Sequence, residues 1–496
     1  MKLTSMRVAF ALLAFAIILM ILPSCKNGED GKNEAINENA DVSKEAETEA
    51  PNYLDILPEM DFGGYAFKIF AQEPDMFPQF PGEEETGEPL NDALFRRNRA
   101  LEDRLGITFE NIPIADRGAL RETLNRSVRS QDMAYDMIIT SMADGLNTLA
   151  PSGALYDMNS LGYLSLAELW WCKSMYETMQ VNGKIFYNTG PLTPIFYYTP
   201  IVCAYNKNKA ADLDIGDVNQ LVLNNEWTAD KFVELIKNKN RDVDGDGMMT
   251  MEDFYGLATG DGNCGAALFT AFNQKITVRD DEKYFRLAFE DENTVNMVQK
   301  CAEILFEPTS TNNGAMDYYG SVAGFASEIP LFVDGHALFT IITMNNVINF
   351  YRAMDDDYGI VPLPKLDSAQ AQYVSYGNPW GPAGIAVPNY CDNPERTGLI
   401  METMAYSSYE SIRPAMYDII IQQKIARDES SQKMLDIVYS NFYFDLNVIH
   451  NFGDSSIFLR DCLSGFRTDF VSGYEKIKDK AEAAIDKLVE AYLSIE

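Results

Sequence analysis

The stretch from Tyr65–Ala71 (YAFKIFA) to Tyr135–Thr140 (YDMIIT), with Asn91–Leu105, Ile107–Ile112 and Gly118–Arg129 between them, decides the fold class. The first, third and fifth segments are short apolar runs, and the second and fourth are longer and mixed. The order is therefore strand, helix, strand, helix, strand. Such alternation implies a parallel sheet covered by helices, with a ligand crevice beyond the carboxyl ends of the strands. The loops after Ala71 and Thr140 then face any bound molecule.

Further along, Pro200–Tyr205, Ala337–Thr343 (ALFTIIT), Tyr358–Pro362 and Gly384–Val387 read as strands, and Ala229–Lys237 as a helix. Apolar Ile477, Ala481, Ala484, Ile485, Leu488 and Tyr492 recur at steps of three and four and mark an amphipathic terminal helix. About 445 residues follow the N-terminal segment, enough for two or three domains. There is no internal repeat.

The N-terminus carries Lys2 and Arg7, then an apolar run from Val8 to Leu22 ending in Leu22-Pro-Ser-Cys25. The run is short for a bilayer span, and small residues precede the cysteine, so it reads as an export signal, with an uncleaved anchor helix as the alternative. Its end resembles a bacterial lipoprotein box, which implies that residues 1–24 are removed and that Cys25 is lipidated. Residues 25–52 are acidic, contain no aromatic residue, and read as a flexible tether that buries too little to fold. The net charge of −34 becomes −36 without Lys2 and Arg7, which argues against nucleic acid or an anionic membrane surface as partner.

Six cysteines follow Cys25, scattered and without a Cys-x-x-Cys pair, and read as free buried thiols more than as a disulfide framework. Two histidines, His336 and His450, argue against a histidine-rich zinc site.

Residues 242–253 (DVDGDGMMTMED) match a twelve-residue calcium loop. Asp242, Asp244 and Asp246 take positions 1, 3 and 5, Met248 the carbonyl of position 7, Thr250 position 9 and Asp253 the last, with Gly247 at the sharp turn. A bare acidic turn is the alternative, opposed by carboxylate repulsion. The ion would be a structural clip between a helix and the Phe254–Ala258 stretch.

Gly260, Gly262 and Gly265 form a Gly-x-Gly-x-x-Gly string, but Asp261 puts negative charge where a pyrophosphate would sit, which favours a tight turn. No Gly-x-Ser-x-Gly elbow, His-Glu-x-x-His helix or Gly-Lys-Ser/Thr loop occurs. Several aromatics stand beside turn residues: Trp170-Trp171, Phe196-Tyr197-Tyr198, and Trp380 within Gly377-Asn-Pro-Trp-Gly-Pro382. Aromatic faces stack on the C–H faces of sugars and neighbouring amides bind hydroxyls; each ring alone is more often core, with Trp380, held between Gly and Pro in a loop, the best exception.

The chain resembles the extracellular solute-binding lipoproteins of carbohydrate-type ABC importers. The resemblance is carried by the order and spacing of Leu90–Arg99 (LNDALFRRNR), Tyr135–Ile139 leading to Ser152–Asp157 (SGALYD), and Val181–Phe186 (VNGKIF). It continues through Ala204–Lys207 (AYNK), Glu226–Thr228 (EWT) and Tyr358–Pro364 (YGIVPLP). It implies an α/β, two-lobed periplasmic-binding-protein-like fold of type II, with parallel-rich sheets, a hinge, and a ligand trapped in the cleft without chemistry. Residues 53–200 and 335–387 would form lobe one, and 201–334 and 388–496 lobe two. The cleft-facing positions by this resemblance are Ser141, Asp144, Trp171, Met344, Asn345, Asn378 and Trp380. Where sugar binders often place an aromatic after the returning strand, this chain has Thr343-Met-Asn-Asn346. The implied partners are a sugar or related polar solute and the permease subunits of an ABC transporter, the protein acting as an extracellular, lipid-anchored monomer. A glycoside-active surface enzyme and a ligand-presenting sensor subunit are the competing readings.

Overall fold

The structure, a computed structural model, describes residues 52–73, 78–260, 262–309, 311–313, 328–422, 429–463 and 469–495. Cys25, the export signal and the tether up to residue 51 lie outside them. In chain order the strands are β1 (Tyr65–Gln72), β2 (Ile107–Ile114), β3 (Met137–Thr140), β4 (Ile201–Asn206), β5 (Tyr255–Thr259), β6 (Thr277–Asp280), β7 (Tyr284–Leu287), β8 (Thr311–Asn313), β9 (Ala337–Thr343), β10 (Tyr358–Val361), β11 (Ser375–Tyr376), β12 (Gly384–Ala386) and β13 (Phe442–Tyr443). The helices that matter below are α1 (Pro89–Leu105), α2 (Arg117–Ser130), α3 (Ala229–Ile236), α4 (Met344–Phe350), α5 (Pro394–Gln422), α6 (Glu429–Ser440) and α7 (Lys478–Ser494).

The expected alternation is present. β1 runs parallel to β2 and β3 on its two sides, with Phe67 beside Phe109 and Phe70 beside Ile138. β12 joins antiparallel to β3, giving the order β12-β3-β1-β2. α1 starts with proline at its first position, where no amide donor is needed, and stops at Gly106, whose φ of 59° is the left-handed conformation glycine adopts without strain.

The second sheet has the order β10-β4-β9-β5-β8, with β5 parallel to β8 and β9 and β4 antiparallel to β9 and β10. Trp227, fully buried before α3, packs against Phe232 and Phe339 and donates its indole N–H to the Pro362 carbonyl at 2.8 Å. That donor is thereby satisfied inside the core, as a buried tryptophan requires.

Two of the expected lobe limits are corrected. Residues 335–387 do not return to the first lobe as a block: β9 and β10 sit in the second sheet, and only β12 lies in the first. β9 is apolar on both faces, and such a strand carries no mark of the sheet it will enter. Likewise the first half of α5 packs on α1 rather than on the second lobe. The buried Arg97 guanidinium of α1 donates to Ser408 Oγ of α5 at 2.9 Å and to the Leu192 carbonyl, and burial pushes its pKa down to about 10. Gly398 of α5 lies against the Gly162 backbone, where a Cβ would fall 1.8 Å from the carbonyl oxygen.

The chain passes between the sheets at two adjoining segments. Thr199-Pro200 leads into β4, and Gly377-Asn378 leads from β11 toward β12. Pro200 bridges to Gly377, the Thr199 carbonyl accepts the Asn378 N–H at 3.1 Å, and the Pro200 carbonyl accepts the Met344 N–H at 2.8 Å. A Cβ at Gly377 would stand 2.3 Å from the Phe444 ring, so this crossing needs a residue without a side chain. α5, with Pro414 inside it, and α6 form a further passage, joined by the Arg413–Asp436 pair at 2.8 Å. Among the described residues no helix is long and apolar enough to cross a membrane.

Candidate functional site

The sharp end of β3 builds the first wall of the site. Ser141 is fully buried and caps the turn Met142–Leu146, its Oγ accepting the Asp144 N–H at 3.1 Å and donating to the Pro379 carbonyl at 3.1 Å. The N–H groups of Met142 and Ala143 point at the same carbonyl, each at 3.1 Å. The β3 loop is thus fastened to the second crossing. Asp144, next in the loop, is partly exposed and pairs with Arg121 of α2 at 2.9 Å.

The crossing supplies the second wall. Asn378 Oδ1 accepts the Trp380 N–H at 3.1 Å, a local turn that presents the indole, and the Trp380 side chain is 44 % exposed. The other three tryptophans are buried, and a ring displayed on a turn is suited to stacking. Asn345, in the first turn of α4, is half-buried, with its oxygen accepting from Asn349 at 3.0 Å. It follows Met344, whose N–H is bound to Pro200 beside the Thr199–Asn378 contact. Ser141, Asp144, Asn378 and Trp380 are therefore joined through Pro379, and Asn345 extends the same row into the second lobe.

Two expected residues stand elsewhere. Trp171 is 3 % exposed in the core of the first lobe, where it and Trp170 donate their indole N–H groups to the two oxygens of Glu402, both at 2.9 Å. Tyr53 and the Ser165 N–H complete that carboxylate's bonds. Met344 is fully buried, because the first residue of α4 points its side chain into the core while Asn345 points out. Met344 has no access to a solute, and the Trp171 indole N–H is committed to Glu402.

Residues that the sequence did not single out complete the surroundings. Arg121 fixes Asp144; Gln79 donates to the Pro382 carbonyl at 2.7 Å and accepts from Thr193 Oγ1 at 2.7 Å, holding the loop after β1 to the second crossing. Asn147 reaches the Ile449 carbonyl at 3.3 Å, so the segment Leu446–His450 borders the β3 loop. Polar residues so far apart in sequence carry no mutual pattern that reading along the chain could detect.

In the acidic loop, Asp242, Asp244 and Asp246 offer carboxylate oxygens that lie within 4.8 Å of one another, and all three are exposed. Asp242 accepts the Gly245 and Gly247 N–H groups, and Gly247 has a φ of 84°, the turn expected of position 6. The Asp246 N–H pulls the Asp244 carboxyl down, but desolvation and the Asp246, Asp242 and Asp253 carboxyl groups push it above the usual carboxylate range. Asp253 is placed differently: its two oxygens accept the Val243 and Thr250 N–H groups, each at 2.7 Å, which holds its carboxyl low. Hard oxygen donors at this spacing fit calcium at three positions, and Asp253 clamps the loop ends. Met248 and Thr250 lie in the same loop, Met248 exposed.

In the glycine string, residue 261 lies outside the described residues. Gly262 opens a helix to Ala271, and Gly265 allows close approach of Leu463. The spacing thus serves packing.

No family model and no curated protein matches the chain. Solved structures do. UspC of M. tuberculosis is 15 % identical with a TM-score of 0.55 over 84 % of this chain and 100 % of that one. The galacto-N-biose/lacto-N-biose I-binding protein of the ABC transporter from Bifidobacterium longum, in complex with lacto-N-biose, is 14 % identical with a TM-score of 0.51 over 88 % and 98 %. The maltose-binding MalE of Listeria monocytogenes, with maltose, is 13 % identical with a TM-score of 0.50 over 87 % and 99 %. At such identities the likeness is one of fold, and the chain has the α/β, two-lobed periplasmic-binding-protein-like fold.

Proposed function

We propose that this chain is an extracellular solute-binding protein that captures a carbohydrate between its lobes and hands it to the permease of an ABC importer. One observation carries the reading. Ser141, Asp144, Asn378 and Trp380, with Asn345 continuing the row, meet on adjoining loops where the chain crosses between sheets, as the site of a hinged binder must. Trp380 offers a stacking face, and Asp144, Asn378 and Asn345 offer hydroxyl partners, which suits a neutral polar solute. Two structures of this fold carry lacto-N-biose and maltose, which supports the same solute class here. Lobe closure gives affinity without turnover, so the reading needs no catalytic residue.

Export and lipidation at Cys25 would hold the protein at the outer face of the membrane on its acidic tether, as a monomer facing the permease. Calcium at Asp242, Asp244 and Asp246, with Met248 and Thr250 supplying further oxygens, would act as a structural clip between α3 and β5. It would lower the mutual repulsion of three carboxylates and take no part in solute contact.

A thermal-shift screen against mono- and oligosaccharides at fixed calcium tests the reading. A bound sugar stabilises only the folded state, by about 2.7 kcal/mol at roughly 100-fold excess over Kd. Silence across a broad glycan panel would refute carbohydrate capture. Chelation should lower the melting temperature while the folded protein keeps its sugar affinity; loss of binding in the folded, calcium-free protein would assign the ion to the site instead.

A further inference from the structure

The hairpin of β6 and β7 borders a cavity of about 280 Å³ that is lined by none of Ser141, Asp144, Asn345, Asn378 or Trp380. Lys275, Thr277 and Arg279 are alternate residues and so stand on one face of β6 and its approach. All three line the cavity, together with Phe285 of β7, Tyr443 of β13 and Thr178. Arg279 and Phe285 face each other in the β6–β7 register, and the guanidinium lies 5.0 Å from the centre of that ring. The Lys275 ammonium lies 5.3 Å from the centre of the Tyr443 ring. Each cation is thus seated on an aromatic face at the cavity wall.

No acidic residue lines the cavity, although the chain carries 74 acidic residues against 40 lysines and arginines. The neighbouring carboxylates are engaged elsewhere. Asp280 accepts the Glu282 and Lys283 N–H groups of the hairpin turn at 2.9 and 2.7 Å, and Glu177 pairs with Lys173 at 3.6 Å. Asp445 is buried, its oxygens accepting the Ile276, Thr277 and Asn447 N–H groups and the Thr277 and Tyr443 hydroxyls, which fastens β6 to β13. Arg286, on the same hairpin, is paired with Asp291 at 3.0 Å. Among the described residues neither Lys275 nor Arg279 has a carboxylate partner; Arg279 donates one N–H to the Gln180 carbonyl, which steadies the guanidinium and leaves its other N–H groups available. Both side chains are exposed, so their charged ends are open to solvent. Two cations on the wall of one cavity, without a counter-charge, repel each other and raise the local concentration of anions.

We propose that this cavity binds the oxyanion of a small molecule, a phosphate or carboxylate group held by the Lys275 ammonium and the remaining N–H groups of Arg279. A guanidinium offers a planar fork to two oxygens and an ammonium supplies a point charge, a combination that favours an oxyanion over a neutral hydroxyl. The site is independent of sugar capture in the cleft, because it rests on charge, which a neutral sugar lacks.

Calorimetric titration of the full chain with inorganic phosphate, glucose 6-phosphate and glucuronate, at low and at high sodium chloride, tests this beside Lys275→Gln and Arg279→Gln, alone and together. Both residues are exposed, so the variants should fold with wild-type melting temperatures. The wild type should bind at least one of the anions, with an affinity that falls as salt rises; each substitution should weaken that binding about 10-fold, and the pair together more. Glucose 6-phosphate binding tighter than inorganic phosphate would assign the site to an organic phosphate, equal affinities to the free ion, and binding of glucuronate alone to a carboxylate. Titration with maltose should give the same result in the wild type and the variants, whether or not the cleft takes that sugar. A wild type silent to every anion, or a double variant that binds them as the wild type does, would overturn the proposal.

Discussion

Replacing Glu402 by glutamine probes why Trp171 is a core residue. Glu402 is fully buried in α5, and four donors converge on it: Tyr53 Oη and Trp170 Nε1 on Oε1, and Trp171 Nε1 and the Ser165 N–H on Oε2. An amide keeps the shape but offers one oxygen. If its NH2 takes the Oε2 position, both Trp171 and Ser165 are left facing a donor. In the other orientation Tyr53 can turn to Ser165 Oγ, 3.0 Å away, and only the Trp170 indole is stranded. One stranded buried donor costs about 1–3 kcal/mol, and the remaining bonds lose their charge assistance, about 1 kcal/mol each; relief of a buried charge offsets part of this. Glu402→Gln should therefore cost about 2–4 kcal/mol. Urea unfolding followed by tryptophan fluorescence is a fitting assay, since two of the chain's four tryptophans touch this carboxylate. Sugar affinity of the folded variant should be unchanged. Stability within about 0.5 kcal/mol of the wild type, or a weakened sugar affinity, would refute the reasoning.

Trp380→Ala removes an exposed ring, so it should leave the stability of the free protein within about 1 kcal/mol while weakening sugar binding about 5- to 30-fold; an unchanged Kd would remove the indole from the site. Gly398→Ala drives a methyl into the Gly162 carbonyl and should destabilise by at least about 2 kcal/mol in urea titration, an estimate that a wild-type midpoint would contradict. Burial pushes the His450 imidazole down to about 3, so the folded protein keeps it neutral while the unfolded chain takes up a proton below about 6.5. Stability should therefore fall as pH drops through that window, by about 1–2 kcal/mol between pH 7 and 5, and His450→Gln should flatten the slope; equal slopes in both proteins would rule the imidazole out as its source.

The first lobe was legible because its strands and helices alternate in one local stretch, with each period visible in a few residues. In the second sheet β4, β9 and β10 were legible as strands but not assigned to their sheet, because β9 is buried on both faces; the separate pair β11 and β13, two residues each, joins across a long stretch of chain, so neither period nor length announces it. At the candidate site, Ser141, Asp144, Asn378 and Trp380 were expected from the family resemblance, and the structure brings them onto adjoining loops at a strand end and a turn. Trp171 could not be told from a stacking ring, since the carboxylate that claims it lies 231 residues away. Met344 and Asn345 differ by a single helical step, and only the phase of α4 decides which one meets solvent.

Five of the six cysteines after Cys25 are buried, and Cys172, Cys203, Cys301 and Cys391 are free thiols. Burial also raises the pKa of Cys172, Cys203 and Cys301, which suppresses the thiolate that oxidants and alkylating agents attack. Folding of this globule therefore calls on no oxidising machinery, and the polypeptide can reach its native state equally in a reducing cytoplasm or outside the cell. Recombinant material made without a signal sequence should need no refolding redox couple, and titration with a thiol reagent should label it slowly until denaturant is added.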